Sequence, residues 1–126
     1  MKAIHQTYTI HSSVKKVWDA LVNPKTIEKW GAGFAKMDDK VGTEFKLWGG
    51  DIYGKNVEVV KNKKLVQEWF GGVWDKPSQV KFELTSKGNS TVVALTQTGV
   101  PEKDVEDIAG GWKEYYLGPL KSLLES

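Results

Sequence analysis

The 126-residue chain contains no cysteine, and because every one of its 18 basic residues is a lysine it contains no arginine either. The missing thiols exclude a disulfide framework, a thiolate zinc site and a cysteine nucleophile. Without arginine, the chain has no planar guanidinium for bidentate binding of phosphates or carboxylates. The lysines are scattered along a chain of net charge +2, and we therefore expect no nucleic-acid partner.

Long apolar runs are also missing. Residues 1–10 mix charged, polar and short apolar side chains, and they lack the apolar stretch of a signal peptide. No window approaches the roughly 18 apolar residues that a membrane span requires, so we expect no membrane span. The lack of cysteine is typical of cytoplasmic proteins, and this is the location we expect. With 40% hydrophobic and 27% charged residues, the chain is expected to fold as one domain over residues 1–126.

Histidine is scarce, which limits metal binding and acid–base chemistry. His5 and His11 are the only histidines, and on one strand they would stand about 20 Å apart, too far to bind the same ion. The sequence contains neither a phosphate-binding loop nor the nucleophile elbow of serine hydrolases. We therefore expect no metal, no cofactor and no catalytic residues.

Acidic and phenolic side chains on the predicted strands leave one catalytic alternative open. A carboxylate that projects into an apolar cavity has a raised pKa and is suited to proton transfer. Glu68 or Tyr53 would have this role in a cyclase- or lyase-type enzyme, with Asp51 and Glu83 as further candidates. No motif supports the role, and we expect Glu68 to lie on the solvated convex face of its sheet.

The N-terminal segment predicts one strand followed by two short helices. Polar and apolar residues alternate over 3–11, which is typical of a half-buried strand. Apolar residues then recur with helical spacing after Ser12–Ser13, and either serine is a suitable N-cap. Pro24 ends this helix, because the residue before a proline disfavours helical geometry, and it begins a second helix that ends at Gly31.

The middle and the end of the chain predict an antiparallel sheet and a long helix. Residues 34–99 alternate with a period of two between short turns. Helical spacing returns over 105–123, where we expect Gly110–Gly111 to allow a close backbone approach and Pro119 to kink the helix near Tyr115. The candidate strands cover 33–38, 43–49, 52–61, 64–72, 79–86 and 91–99.

This order of elements predicts an α+β, helix-grip fold. The long amphipathic helix must bury its apolar stripe, and the concave face of the sheet is the surface able to cover it. The predicted sheet has about seven antiparallel strands wrapped around the C-terminal helix, with the two short helices between its first two strands. We expect Trp112 to anchor the long helix against the sheet.

Short motifs spread over almost the whole chain accompany this order of elements. They are Tyr8–Ile10 leading into Ser13–Trp18, then Pro24–Trp30, Gly42–Phe45, Leu65–Phe70, Gly99–Pro101 and Gly111–Tyr116. Together they resemble the START/SRPBCC (birch-pollen-allergen-like, helix-grip) superfamily and, within it, the branch of the activator of heat-shock-protein-ninety ATPase homologues. The resemblance implies a cavity, and this superfamily includes lipid carriers, polyketide cyclases and chaperone activators.

Aromatic residues are abundant, with six tryptophans, four tyrosines and four phenylalanines. Large rings dominate both protein cores and ligand pockets, so a filled core and an aromatic-lined cavity are alternatives on the sequence alone. If the interior holds the cavity that the resemblance implies, the candidate ligand-binding residues are Trp30, Phe45, Trp48, Tyr53, Trp69, Trp112 and Tyr116.

Three functions follow as hypotheses. The first is a non-enzymatic protein whose apolar cavity binds a hydrophobic or aromatic small molecule. The second, implied by the resemblance, is a co-chaperone-like module that binds a ninety-kilodalton heat-shock chaperone and modulates its ATPase. The third is the cyclase- or lyase-type enzyme, with Glu68 or Tyr53 as its proton-transfer group. In each case we expect a monomer or a weak dimer.

Overall fold

The computed structural model describes residues 2–71 and 76–126, and it begins with the predicted strand and two helices. These elements are β1 (Lys2–Ile10), α1 (Val14–Val22) and α2 (Pro24–Trp30). Ser13 caps α1, because its Oγ accepts a hydrogen bond of 3.3 Å from the backbone N–H of Lys16. Asn23 caps α2 through its own side chain, and Gly31 ends that helix with a left-handed φ of 115°.

Five further strands follow, namely β2 (Glu44–Leu47), β3 (Ile52–Val60), β4 (Lys64–Gly71), β5 (Ser78–Lys87) and β6 (Ser90–Val100). All pairings are antiparallel, and the spatial order is β1-β6-β5-β4-β3-β2. Consecutive strands from β2 to β6 are therefore neighbours, as their short turns require, while β1 joins the sheet beside β6.

The predicted α+β, helix-grip fold is confirmed, but the described sheet has six strands rather than about seven. The strand predicted over 33–38 is wrong, since this segment forms only a single bridge with β2. Gly33 takes a left-handed φ of 62° where it packs against the backbone of Trp48, which interrupts the extended conformation before the bridge. Directly after the bridge, the Asp38 side chain starts a turn by accepting a hydrogen bond of 2.9 Å from a backbone N–H.

The largest difference at a strand end is in β2, and the other predicted strands after it agree to within one residue where they are described. The strand predicted over 43–49 stops at Leu47, because Trp48–Gly50 form a 3₁₀ turn in which Trp48 has a φ of 51°. This conformation takes the Trp48 ring out of the alternation of β2. The last position of the strand predicted over 64–72 lies outside the described residues.

The C-terminal segment is helical in successive parts, α3 (Val105–Gly111), a π turn (Trp112–Tyr116) and α4 (Leu117–Glu125), after a 3₁₀ turn at Glu102–Asp104. The π turn lies where a kink was predicted. Pro119 has no N–H to donate to the carbonyl of Tyr115, and the N–H of Leu117 bonds to the carbonyl of Trp112, five residues back.

The close backbone approach in this helix is at Gly118. A Cβ at Gly118, in the first turn of α4, would overlap the carbonyl oxygen of Lys113 in the π turn, so only glycine fits this position. The approach predicted at Gly110–Gly111 is wrong, because a Cβ built on Gly110 meets no atom of the described residues within 4 Å, and one built on Gly111 meets only the Tyr115 side chain, at 3.9 Å.

The core lies between the concave face of the sheet and the C-terminal helix. Trp112 is 3% exposed and its ring contacts Trp69 of β4 and Phe82 of β5, which confirms it as the anchor of the helix. The helices α1 and α2 close one end of this layer. They are tied together by the Nε1 of Trp30, which donates a hydrogen bond of 2.9 Å to the carbonyl of Ala20.

Candidate ligand-binding cleft

Tyr116 is the centre of an aromatic cluster on the concave face of the sheet. Its ring centroid lies 4.8 Å from that of Trp112 in the same π turn and 4.5 Å from that of Trp30 in α2. Trp69 of β4 lies 5.8 Å away and Trp48 lies 6.3 Å away. These separations are in the favourable range for aromatic pairs. The cluster therefore joins the helix, the sheet and α2 through ring contacts.

Two of these tryptophans are held in place by buried glutamines. Nε1 of Trp69 donates a hydrogen bond of 2.8 Å to Oε1 of Gln67, and Nε1 of Trp112 donates one of 2.7 Å to Oε1 of Gln97. Since a buried indole N–H needs an acceptor, these bonds fix the orientation of both rings. The glutamine amides donate in turn to Asn56 Oδ1 at 2.9 Å and Ser78 Oγ at 2.7 Å.

Sequence reasoning missed both glutamines. Gln67 lies in phase with Leu65 and Trp69, and Gln97 lies in phase with Leu95, so each occupies an inward-facing position of its strand. A polar side chain at such a position must find a buried partner. That phase is the signal by which the two glutamines could have been predicted.

A cleft of about 350 Å³ opens beside the cluster, between α3 and the π turn on one side and the β2–β3 connection on the other. Four of the predicted ligand-binding residues line it, namely Trp48, Trp69, Trp112 and Tyr116. The other lining residues are Asp51, Ile52, Asp107, Ile108, Gly111 and Tyr115. The cleft walls are thus mostly aromatic, and two carboxylates join them.

The other three predicted residues lie elsewhere. Trp30 and Phe45 are buried in the core behind the cleft, where Phe45 contacts Trp69 at a centroid distance of 6.1 Å. Tyr53 is 47% exposed on the convex face of the sheet and stacks on Phe70 at 5.3 Å. The seven predicted residues are therefore divided among the cleft, the core and the convex face.

Three of the four proton-transfer candidates of the enzyme hypothesis lie on the convex face of the sheet. Glu68 is paired there with Lys55 at 3.7 Å, as expected for a solvated carboxylate, and Tyr53 is its neighbour on that side of the sheet. Glu83 is likewise paired, with Lys81 at 3.4 Å. Of the four candidates, only Asp51 reaches the cleft.

Tyr116 is the buried ionisable group of the cleft wall. Its side chain is 1% exposed, and its hydroxyl has no hydrogen-bond partner among the described residues. Burial raises the pKa of Tyr116, because the phenolate would lose its hydration. The phenol therefore stays neutral and keeps an unused donor beside the aromatic rings.

Over residues 2–71 and 76–126, no group of three or more histidine or acidic side chains is placed to hold a metal ion. His5 and His11 are separate and exposed, next to Thr96 and Ser90. The helices of the same residues include none with the length and apolarity needed to cross a bilayer.

An antiparallel sheet curved around a C-terminal helix, with an apolar cleft where helix and sheet diverge, defines the START-like, helix-grip class of proteins. Within this class, the chain belongs to the family described as Activator of Hsp90 ATPase homolog 1-like protein, whose model matches residues 11–125.

Relatives of this family agree with the assignment. The chain is 31% identical to an activator of 90 kDa heat shock protein ATPase homolog from Dictyostelium discoideum, over 82% of this chain and 28% of that protein. It is 25% identical to homolog 2 of that activator from Mus musculus, over 98% of this chain and 38% of that protein. The chain thus spans between 28% and 38% of the length of the curated relatives that it matches.

One solved structure matches this chain over nearly the full length of both chains. The crystal structure of an HSP90 activator from Plasmodium falciparum has a TM-score of 0.88 and 26% sequence identity to this protein. The match covers 98% of this chain and 96% of that chain.

Proposed function

We propose that this protein binds a hydrophobic small molecule in the cleft between α3, the π turn and the β2–β3 connection. The observation that carries the proposal is the cleft itself, which has a volume of about 350 Å³ and is walled by Trp48, Trp69, Trp112 and Tyr116. Small-molecule sites are typically concave, mostly apolar and about 300–1,000 Å³ in volume. Hydrogen bonds donated by Trp69 and Trp112 to Gln67 and Gln97 hold these two rings in place, so the site is largely preformed.

Intrinsic tryptophan fluorescence gives a direct test, because three of the wall residues are tryptophans. The wild-type protein is titrated with a panel of neutral aromatic and aliphatic compounds, and the change in fluorescence is recorded for each. Saturable binding with a matching rise in melting temperature is the expected result. A flat response across the panel would argue against the proposal.

Two glycines of α3 provide a matched pair of variants. Gly111 lines the cleft, whereas its neighbour Gly110 is exposed and does not line it. We expect Gly111→Val to place a branched side chain in the cleft and weaken binding by at least about tenfold. Gly110→Val makes the same change in helix propensity and should leave binding unchanged. Equal effects of the two substitutions would mean that the ligand binds elsewhere.

A second function is favoured by the named relatives. The Dictyostelium discoideum and Mus musculus proteins are named as activators of the 90 kDa heat shock protein ATPase, and the Plasmodium falciparum structure is matched over 96% of its chain. We therefore propose, as an alternative, that this chain is a co-chaperone module that binds such a chaperone through its surface. The support is family membership, since fold alone does not define function.

The ATPase rate of a purified ninety-kilodalton heat-shock chaperone separates the two functions. Stimulation by the wild-type protein and equally by Gly111→Val would support a surface interaction that does not use the cleft. An unchanged ATPase rate, together with no complex in calorimetry, would dismiss the co-chaperone alternative and leave the small-molecule proposal to its own test.

A further inference from the structure

The charged side chains that line the cleft are both acidic. Asp51 follows the 3₁₀ turn after β2 and Asp107 lies in α3, so carboxylates approach the cleft from two different elements. Among the described residues that line the cleft, none is basic. The chain as a whole carries a net charge of +2, so its overall charge does not account for this local excess of negative charge.

Neither carboxylate is paired with another side chain of the described residues. Asp51 and Asp107 are both exposed, and across the described ranges of the chain neither side chain has an ion-pair or hydrogen-bond partner. Other acidic side chains on the sheet, such as Glu58 and Glu68, pair with a lysine. The two aspartates therefore remain available to a bound ligand.

Like the two carboxylates, the aromatic walls favour a positively charged ligand. The face of an indole or phenol ring carries negative potential and attracts a cation that lies within about 6 Å of the ring centroid. Tryptophan is the strongest partner of this kind, and Trp48, Trp69 and Trp112 all line the cleft. An organic ammonium group loses less hydration than a metal ion would, while its alkyl groups fill apolar space. A neutral apolar ligand would gain nothing from the two carboxylates, and an anion would be repelled.

We infer that the ligand of the cleft is an organic cation, with an alkylated ammonium group placed between the aromatic walls and the carboxylates of Asp51 and Asp107. This inference rests on the proposed small-molecule function and narrows it to one class of ligand. The apolar or aromatic body of the ligand fills the rest of the cleft. The contribution of charge is largest at low ionic strength, because both carboxylates are exposed to solvent.

A pair of probes that differ only in charge tests the inference. The cation is choline with one N-methyl group replaced by benzyl, and the neutral probe has the same shape with a quaternary carbon in place of the nitrogen. Affinities for the wild-type protein are measured by calorimetry at low and at high salt. We expect the cation to bind about tenfold more tightly than the neutral probe at low salt, and this preference to shrink at high salt.

Charge-matched variants show where the preference arises. In Asp51→Asn/Asp107→Asn the cation should lose most of its advantage, while the affinity of the neutral probe stays unchanged. The control Asp39→Asn/Glu106→Gln removes the same number of charges from exposed positions that do not line the cleft, and it should keep the preference. Near-UV circular dichroism of both double variants verifies that the substitutions leave the fold intact.

The outcomes separate this inference from the function on which it rests. Equal binding of the two probes, or a preference that survives Asp51→Asn/Asp107→Asn, would overturn the inference and leave the cleft as a general apolar binding site. If neither probe binds while a neutral compound of the fluorescence panel does, the inference fails and the small-molecule function stands. If no compound of either set binds, both fail.

Discussion

Replacing Trp112 with alanine removes a ring that contacts Trp69 at 4.8 Å, Phe82 at 5.6 Å and Tyr116 at 4.8 Å between centroids. Truncation of a buried tryptophan to alanine costs about 3–5 kcal/mol. The change also leaves Oε1 of Gln97 without its donor, and an unsatisfied buried polar atom costs about 1–3 kcal/mol. We expect a total loss of at least about 4 kcal/mol, which would largely unfold a domain of ordinary stability, about 5–15 kcal/mol.

Denaturant titration followed by far-UV circular dichroism measures this loss without depending on the tryptophan that was removed. Trp112→Phe separates the two contributions, because it keeps an aromatic ring but lacks the N–H donor to Gln97. Adding Gln97→Met and Ser78→Ala to Trp112→Phe removes the whole buried chain of hydrogen bonds that runs from Trp112 through Gln97 to Ser78. We expect the triple variant to recover at least about 1 kcal/mol relative to Trp112→Phe alone.

Tyr115→Ala is the control for this experiment, since Tyr115 belongs to the same π turn but is 60% exposed. Its substitution should cost less than about 1 kcal/mol. If Trp112→Ala also costs less than about 1 kcal/mol, the Trp112 ring is not packed against the sheet. The wall of the proposed cleft would then be misplaced, and the binding proposal would lose its basis.

Two further substitutions test the π turn. Tyr116→Phe should leave stability unchanged or raise it by about 1 kcal/mol, because the hydroxyl has no partner among the described residues; a clear loss in a guanidinium titration would contradict this. Burial raises the pKa of Tyr116, so on raising the pH the unfolded chain releases the phenol proton before the folded chain does. Above a pH of about 10, the free energy of unfolding of the wild-type protein should therefore fall more steeply than that of Tyr116→Phe. Gly118→Ala should lower the free energy of unfolding by about 1–3 kcal/mol, because its Cβ would overlap the carbonyl of Lys113. The control Gly110→Ala should raise it by up to about 1 kcal/mol. Similar melting temperatures for the two variants would refute the overlap.

The fold was largely predictable because its local signals are strong. Ser13 and Pro24 marked the starts of α1 and α2, and the spacing around Trp112 identified the apolar stripe of the last helix. The segment 33–38 misled the prediction, since alternation alone does not show that Gly33 bends the backbone around Trp48. Strand pairing depends on such tertiary contacts as well as on propensity.

The candidate site was only partly predictable. Alternation showed that β3 has two different faces, but it did not show which of them is concave. The inward positions of β3 hold Gly54 and Asn56, while Tyr53 points outward. A glycine and an amide give no apolar signal, so Tyr53 was assigned to the wrong side of the sheet. The pairing of Asp51 with Asp107 around one cleft depends on contacts between distant segments, which sequence spacing does not show.

The π turn also resets the rotational phase of the C-terminal helix. Each residue of an α-helix advances about 100° around the axis, and a π turn accommodates one residue more than an α turn. The buried face of α4 is therefore offset by about 100° from the direction that α3 would give it in an uninterrupted helix. This offset lets one continuous segment turn Trp112 towards the sheet and keep Leu117 and Leu120 of α4, which contacts α1, α2 and β1, fully buried. Deleting a single residue of the turn would convert it into an α turn and leave those leucines facing the core, because the π turn holds one residue more than an α turn.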